Sequence, residues 1–421
     1  MRARLLILAS AIGSLGWGAV LPYQYAYAAD TRGWGAMVAA AASSLFSVGA
    51  LVAAPAAGRL ADRFNPVAVA VVAQVFGAIA VASLVLVGSP VPFLVAMLAF
   101  GVGVAASGPA KQVLALRWAA SADRRKVFAY KFTGESLGMA AGAFLAGLVV
   151  NLDRANGLDS GFLLAAAGFT LSSVIIAIAS RLGADVAAEI PSVHGEFPAS
   201  SRRGAALRRI FAEPAMRWTA VVAITLALGF YAQFESGLPA FALTSLHATP
   251  AAIGTAAAVN CLVIVVLQVL VVRVTAKRSA PSLLMAVGGI WIASWLLLAA
   301  AQFLPGLAPA MFVMTYGVFA AGETIYSPVL NPLIATLAPS GMLGLTLGTV
   351  TALQTAFSAA GPLVGGLLLG AGLPSVYLLL HIAISAIAVF AAWRIRRALR
   401  PALAEVETTL EASTQSLTQA A

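Results

Sequence analysis

The chain has 421 residues, of which 61% are hydrophobic and 10% charged, and its mean hydropathy is +0.96. A soluble protein needs roughly 25% charged residues to cover its domains, so lipid rather than water must solvate most of this surface. A net charge of +10 raises nucleic acid as a partner, but the basic residues sit in short segments between apolar runs, which is the distribution of a membrane protein and speaks against nucleic acid.

Runs of about 20 apolar residues, the length that crosses a bilayer, predict twelve helices. They fall at 5–29, 36–57, 66–88, 91–116, 127–150, 160–181, 215–243, 250–273, 280–302, 307–336, 342–370 and 374–393. The implied fold is all-α and membrane-embedded, with twelve transmembrane helices in two pseudo-symmetric six-helix bundles. Residues 1–181 form the first bundle, 182–214 a linker, 215–395 the second bundle and 396–421 a polar tail, disordered or a frayed helix.

In chain order, Arg2 and Arg4 ahead of Leu5–Val20 imitate a signal peptide. Eleven further apolar stretches follow, so this is read as a retained first span. Late in it stand Tyr23, Gln24, Tyr25 and Tyr27. Tyr23 and Tyr27 are four apart and share a helix face, either lining a cavity or anchoring the helix among headgroups. Gln24 is the stronger cavity candidate, because an amide in lipid needs a partner. Spans 4 and 5 carry Lys111 and Glu135, which either neutralise each other, since an unpaired buried charge is costly, or serve a substrate. In span 5, Gly134, Gly138, Gly142 and Gly147 offer the small surfaces that let helices approach in lipid. The linker contains Pro191, Gly195 and Pro198. Its Arg202–Phe211 segment is either solvated or a short amphipathic surface helix.

In the second half, Gln233 and Glu235 lie in span 7, Asn260 in span 8 and Glu323 in span 10. Ionisable residues at bilayer depth are functional candidates by default. At ~1.5 Å per residue Glu323 falls near the midplane and Glu235 in the outer half of its span. Glu323 is either a carboxyl that carries a proton or recognises a cation, or a group bonded within a kink near Pro328. Glu235 is either a cavity group or a solvated vestibule residue. The single Cys261 excludes an internal disulfide, and the isolated His194, His247 and His381 build no metal motif. No paired aspartates, His-rich motif, nucleophile–base pair or phosphate-binding loop is present, so neither an enzyme nor a nucleotide-driven pump is expected, and no cofactor.

Basic residues gather on one side of the predicted topology. Arg59, Arg63, Arg117, Arg124, Arg125, Lys126, Lys131, Arg181, Arg273, Lys277, Arg278 and Arg394 share it with both termini, whereas the opposite loops hold only Arg32 and Arg154. The expectation is a multi-pass protein of the inner membrane with cytoplasmic ends. Internal matches in shared order suggest duplicated halves. Phe100-Gly101-Val102 pairs with Tyr316-Gly317-Val318, Leu21-Pro22 with Leu238-Pro239, and Gly142–Gly147 with Gly361–Gly366. Halves repeated about an axis normal to the membrane are a transporter plan with the site between them.

Gly58-Arg59-Leu60-Ala61-Asp62-Arg63 resembles the loop signature of the major facilitator superfamily. In that family the small residue lets two helices approach, and the Asp-Arg pair clasps the cytoplasmic gate. The resemblance therefore assigns gating to Gly58, Asp62 and Arg63. The family pattern continues with glycine and basic residues where this chain has Asn65-Pro66-Val67. Gly361-Pro362-Leu363-Val364-Gly365-Gly366 resembles the antiporter signature of the same superfamily, usually found in span 5, where this chain has Ala143 at the proline position. Gln233-Phe234-Glu235-Ser236-Gly237-Leu238-Pro239 with Asn260 and Gln268, and Gly322-Glu323 ahead of Pro328, resemble twelve-span drug-efflux members of that superfamily. This resemblance implies a proton-coupled exporter of small organic compounds, hydrophobic or cationic; a monomer is expected. Gly138, Gly142, Gly361, Pro362 and Gly365 then act in helix packing. Its partners are a small-molecule substrate, protons and the lipid bilayer. The alternatives are proton-coupled uptake of a nutrient or metabolite, and a non-transporting sensor or scaffold on the same fold.

Overall fold

Apolar runs become helices here because the bilayer leaves backbone polar groups no other partners. A computed structural model describes residues 1–21, 23–24, 27–183, 203–248 and 250–419. Pro22, Tyr25, Pro191, His194, Gly195, Pro198 and Arg202, which entered the readings above, lie outside the described residues, as does the side chain of Glu235. The helices are α1 (Arg2–Val20), α2 (Gly35–Arg63), α3 (Pro66–Ser83), α4 (Pro90–Arg117), α5 (Arg124–Val149), α6 (Asp159–Arg181) and α7 (Arg203–Ile210). The second half adds α8 (Pro214–Leu226), α9 (Leu238–Ser245), α10 (Pro250–Thr275), α11 (Ala280–Ala301), α12 (Ala308–Leu337), α13 (Leu343–Gly370) and α14 (Pro374–Gln419). No strand occurs among the described residues. Ten helical stretches among them are long and apolar enough to cross a membrane by length and composition. The other two long helices, α5 and α12, carry charge within their length, at Lys131 and Glu135 and at Glu323.

Several departures from the expected spans have local causes. Asn65 caps α3 by accepting from Val67 N at 2.9 Å, and Pro66 fills the first helical position, so this dipeptide is a helix start. The region expected as one span at 215–243 is helical from Pro214 to Ser245 but contains two π-helical stretches, Ala227–Tyr231 and Gln233–Gly237. A third π stretch, Tyr27–Thr31, follows α1. The short surface helix expected in the linker is α7, which buries Ala206 and Ile210 and exposes Leu207. The polar tail continues α14 as helix through Gln419.

α1 packs on α5 and α6, α2 on α4, and α3 on α4 and α6. Among the later helices α12 packs on α10 and α11, and α14 on α8 and α11. Early and late helices meet along α2–α13, α4–α13, α5–α10 and α5–α12. Lipid tails are as apolar as leucine, so close packing rather than water exclusion holds such helices together. A Cβ on Gly138 or Gly142 would overlap the α1 backbone at Ala11 or Leu15, so these glycines are what lets α1 and α5 approach. Gly361 sits against Ala232, and Gly365 lies against Gly237 and the Gln233 amide. Pro362 is inside α13 with its ring exposed. One apolar cluster belongs to the first half and centres on Tyr27, Phe93, Phe100 and Phe162. The other runs from Leu6 to Ile395 and joins both halves.

Candidate functional site

Two cavities share part of their lining, one where early and late helices meet and one within the early helices. The larger, about 630 Å³, is bounded by α1, α5, α10, α12 and the first two π-helical turns after α8. The smaller, about 300 Å³, lies among α1, α4, α5 and Phe169 of α6. Phe132, Ser136 and Met139 of α5 line both.

The larger cavity is aromatic on one side. The π-helical turns widen the helix and aim Phe230, Tyr231 and Phe234 at it. Behind them Phe230 stacks on Trp291 at 4.6 Å, and Phe234 packs on Tyr316 at 4.8 Å. Glu323, close to the middle of the 30-residue α12, lines the same cavity and is 5% exposed. Its Oε2 accepts from Asn260 Nδ2 at 3.0 Å, and the same amide donates to Tyr316 O at 3.3 Å. Cys261 lines the wall beside it. Glu323 and Asn260, from helices α12 and α10, are thus brought together.

The smaller cavity is polar. Lys111 of α4 is 9% exposed and lines it with Gln112, Ser14 and Ser107. Lys111 and Glu135 line the same cavity but form no salt bridge with each other. Glu135 instead takes Lys131 Nζ at 2.6 Å, one helical turn away on α5, because an i,i+4 pair on one helix meets directly whereas Lys111 belongs to another. Lys131, counted among the loop basic residues, is therefore a cavity residue. The partner of Lys111 is Gln74. With its amide oriented to satisfy both ends, Gln74 donates to Ser172 Oγ at 2.7 Å and Phe169 O at 3.1 Å, and accepts from Lys111 Nζ at 3.2 Å.

Other sequence candidates lie elsewhere. Gln233 is fully buried between helices: its Nε2 donates to Leu228 O and Gly361 O at 3.3 Å each, and its Oε1 accepts from Tyr377 at 3.0 Å. An amide completing three bonds to packed helices is structural, and it lines neither cavity. Tyr23 donates to Ala143 O at 2.8 Å, and Tyr27 packs edge-on against Phe162 while its hydroxyl accepts from Arg32 at 2.8 Å. Both tyrosines fasten helices together rather than line a cavity. Gln24 is buried beside them and lines neither space. Glu235 has its backbone in the second π turn after α8.

At the arginine-rich end the first and second halves are joined. Gly344 N and Leu345 N, the open amides of the first turn of α13, donate to the two oxygens of Asp62 at 2.5 and 2.7 Å. A carboxylate there meets both free N–H groups and the positive end of the helix dipole. A Cβ on Gly58 would overlap Gly344, and one on Gly348 would overlap Ala54, so the two backbones touch. The clasp is thus Asp62 to a helix N-terminus, not Asp62 to Arg63, whose guanidinium lies 5.6 Å over Phe64. Beside it Arg125 donates to Thr275 O at 3.1 Å and Arg278 O at 2.7 Å. Sequence reasoning missed Arg125 because its acceptors are backbone carbonyls more than a hundred residues away.

The description of known proteins that this arrangement meets is specific. Residues 6–322 match the family model of the Major Facilitator Superfamily. The human organic anion transporter MFSD10 (TETRAN) is similar in structure, with a TM-score of 0.70 at 18% identity over 93% of this chain and 98% of that one. The transporter FucP in its outward conformation gives 0.73 at 15% identity, over 93% and 97%. A bacterial homologue of the iron transporter ferroportin, outward-facing, gives 0.70 at 16% identity, over 94% and 99%. At such identities the likeness is one of fold. No curated protein matches the sequence. With a family model covering most of its length and whole-chain structural neighbours that are transporters, this chain belongs to the Major Facilitator Superfamily.

Proposed function

We propose that the chain is a proton-coupled secondary transporter that exports a small organic molecule across the inner membrane by alternating access, with Glu323 as the group that carries the proton. The observation that carries this reading is the placement of Glu323: a carboxyl near the middle of a spanning helix, at a cavity wall, held among the described residues by the Asn260 side chain alone. Carboxyls at membrane depth are expensive to keep and mark proton and substrate pathways. The aromatic wall of Phe230, Tyr231 and Phe234 suits a flat apolar body. An organic anion transporter, a fucose:proton symporter and a bacterial homologue of an iron transporter share the fold, so the fold does not choose the cargo.

In this reading residues 1–181 and 215–395 rock against each other as two six-helix halves in a monomer, with 182–214 linking them and both ends cytoplasmic. Support comes from the concentration of basic residues at one end and from the joint between α2 and α13 there. Opening toward the cytoplasmic side, where an exporter loads its substrate, has to break the Asp62 bonds to α13. Export rather than uptake is favoured by the antiporter-like Gly361-Pro362 signature, whose Gly361 packs against Ala232 in this fold.

The test uses purified protein in oriented liposomes with a pH gradient across the membrane. Glu323→Gln keeps shape and hydrogen bonding but cannot release a proton. It should abolish gradient-driven flux while substrate exchange without a gradient persists. Undiminished gradient-driven flux in the variant removes Glu323 from the mechanism. Net flux inward under the physiological gradient replaces export with uptake.

A further inference from the structure

We infer that the smaller cavity receives an anionic group, the acid of an organic acid whose apolar body occupies the aromatic cavity next to it. This rests on reading the two spaces as one substrate path.

Lys111 is the observation that demands it. A buried ammonium needs a counter-charge or a full set of acceptors. Among the described residues Lys111 forms no ion pair, and its one acceptor is the neutral Gln74 oxygen at 3.2 Å. The carboxylate nearest to hand, Glu135, is taken up by Lys131 at 2.6 Å. The lining of this cavity therefore holds two ammonium groups and one carboxylate. Glu323 lines the other space, where Asn260 holds it. An ammonium has three N–H donors, so two remain beyond Gln74. The hydroxyls of Ser14 and Ser136 line the same cavity and make no hydrogen bond within the described protein. Lys111, Ser14 and Ser136 together offer charge and donors to an incoming carboxylate, while the Glu135 carboxylate of the same lining is paired with Lys131. Ser136 also lines the aromatic cavity. A ligand with its acid at Lys111 can therefore extend its apolar part past Phe132 toward Phe230 and Phe234.

The alternative is that Lys111 is only a structural ion fastened to Gln74. Three ligands with one apolar body separate the two: phenylbutyrate, phenylbutyramide and phenylbutylamine, added to the full chain in lipid nanodiscs, with the rise in Tm read against concentration. The inference expects stabilisation by phenylbutyrate above the amide and the amine. Lys111→Arg should retain it. Lys111→Met should weaken the phenylbutyrate response about 10- to 100-fold, the range of a hydrogen bond to a charged group, and leave the amide response unchanged. Should Lys111→Met fail to fold, Ser14→Ala with Ser136→Ala gives the same selective loss on a smaller scale. An unchanged phenylbutyrate response in these variants overturns the inference, as does a stronger response to the amine, and both leave the cavity reading intact. If none of the three ligands shifts Tm, the cavity reading falls with the inference.

Discussion

Asp62 meets two amides of a helix 282 residues further along the chain, and this single carboxylate does the work that two separate caps would do elsewhere. α13 has no side-chain cap of its own, since Met342 at its N-cap supplies no acceptor. Asp62→Asn keeps one acceptor and loses the charge. Charged hydrogen bonds contribute about 1.5–3 kcal/mol against about 0.5–1.5 for neutral ones, so the joint should weaken by about 1–2 kcal/mol. Hydrogen exchange at the amides of Gly344 and Leu345 should then quicken by about 10-fold, as 1.4 kcal/mol is a factor of ten. Unchanged exchange at those two amides would mean the carboxylate does not hold the joint. Residues such as Asp62, Lys111 and Glu323 were legible in the sequence because charge among apolar residues stands out. Their partners were not. Gln74, Asn260 and the α13 amides come from other helices, and neither periodicity nor composition says which helices face each other. Lys131 lies inside the span expected at 127–150 yet groups with the cytoplasmic bases, because it stands five residues past a run of them and only the packed helices show that it faces a cavity. Gln233 was misread because an amide at membrane depth looks the same whether it serves a ligand or three buried backbone and side-chain partners.

At the scale of the helix, approach distance is set by what a Cβ would strike. Gly138 and Gly142 lie one turn apart on α5, each against a carbonyl of α1. Gly142→Ala places a methyl into the backbone of Leu15 and Ala19, and neither can yield without shifting α1. Overpacking of this kind costs about 1–3 kcal/mol. Gly366→Ala, at a position with nothing within 4 Å, serves as the control and should be neutral or slightly stabilising. Measured Tm values should therefore fall for Gly142→Ala and hold for Gly366→Ala. Equal effects would deny the α1–α5 seam its special closeness. The span positions themselves were readable from apolar runs to within a few residues at most ends, because lipid enforces helix wherever a run is long enough. The π turns at Ala227–Tyr231 and Gln233–Gly237 were not readable. Nothing in their composition separates them from ordinary helix, yet they set the aim of the three aromatic residues at the cavity.

For the whole molecule, the question is which face of the membrane the cavity serves in this conformation. The arginine-rich end is held by Asp62 on α13 and by Arg125 on the Thr275 and Arg278 carbonyls, with Gly58 and Gly344 in backbone contact between them. No comparable set of polar bonds joins early and late helices at the opposite end among the described residues. The cavity should therefore be reached from that opposite side. Cys261 makes this measurable without engineering a probe, since it is the one cysteine of the chain and it lines the aromatic cavity near Glu323. A membrane-impermeant maleimide added to vesicles of each orientation should label Cys261 faster from the side opposite the arginine-rich end. Asp62→Asn, by loosening the joint, should raise the labelling rate from the arginine-rich side and lower the ratio between the two. A ligand seated against Phe230 and Phe234 should protect the thiol from both sides. Faster labelling of the unaltered protein from the arginine-rich side would show that the joint between α2 and α13 is not the closed gate.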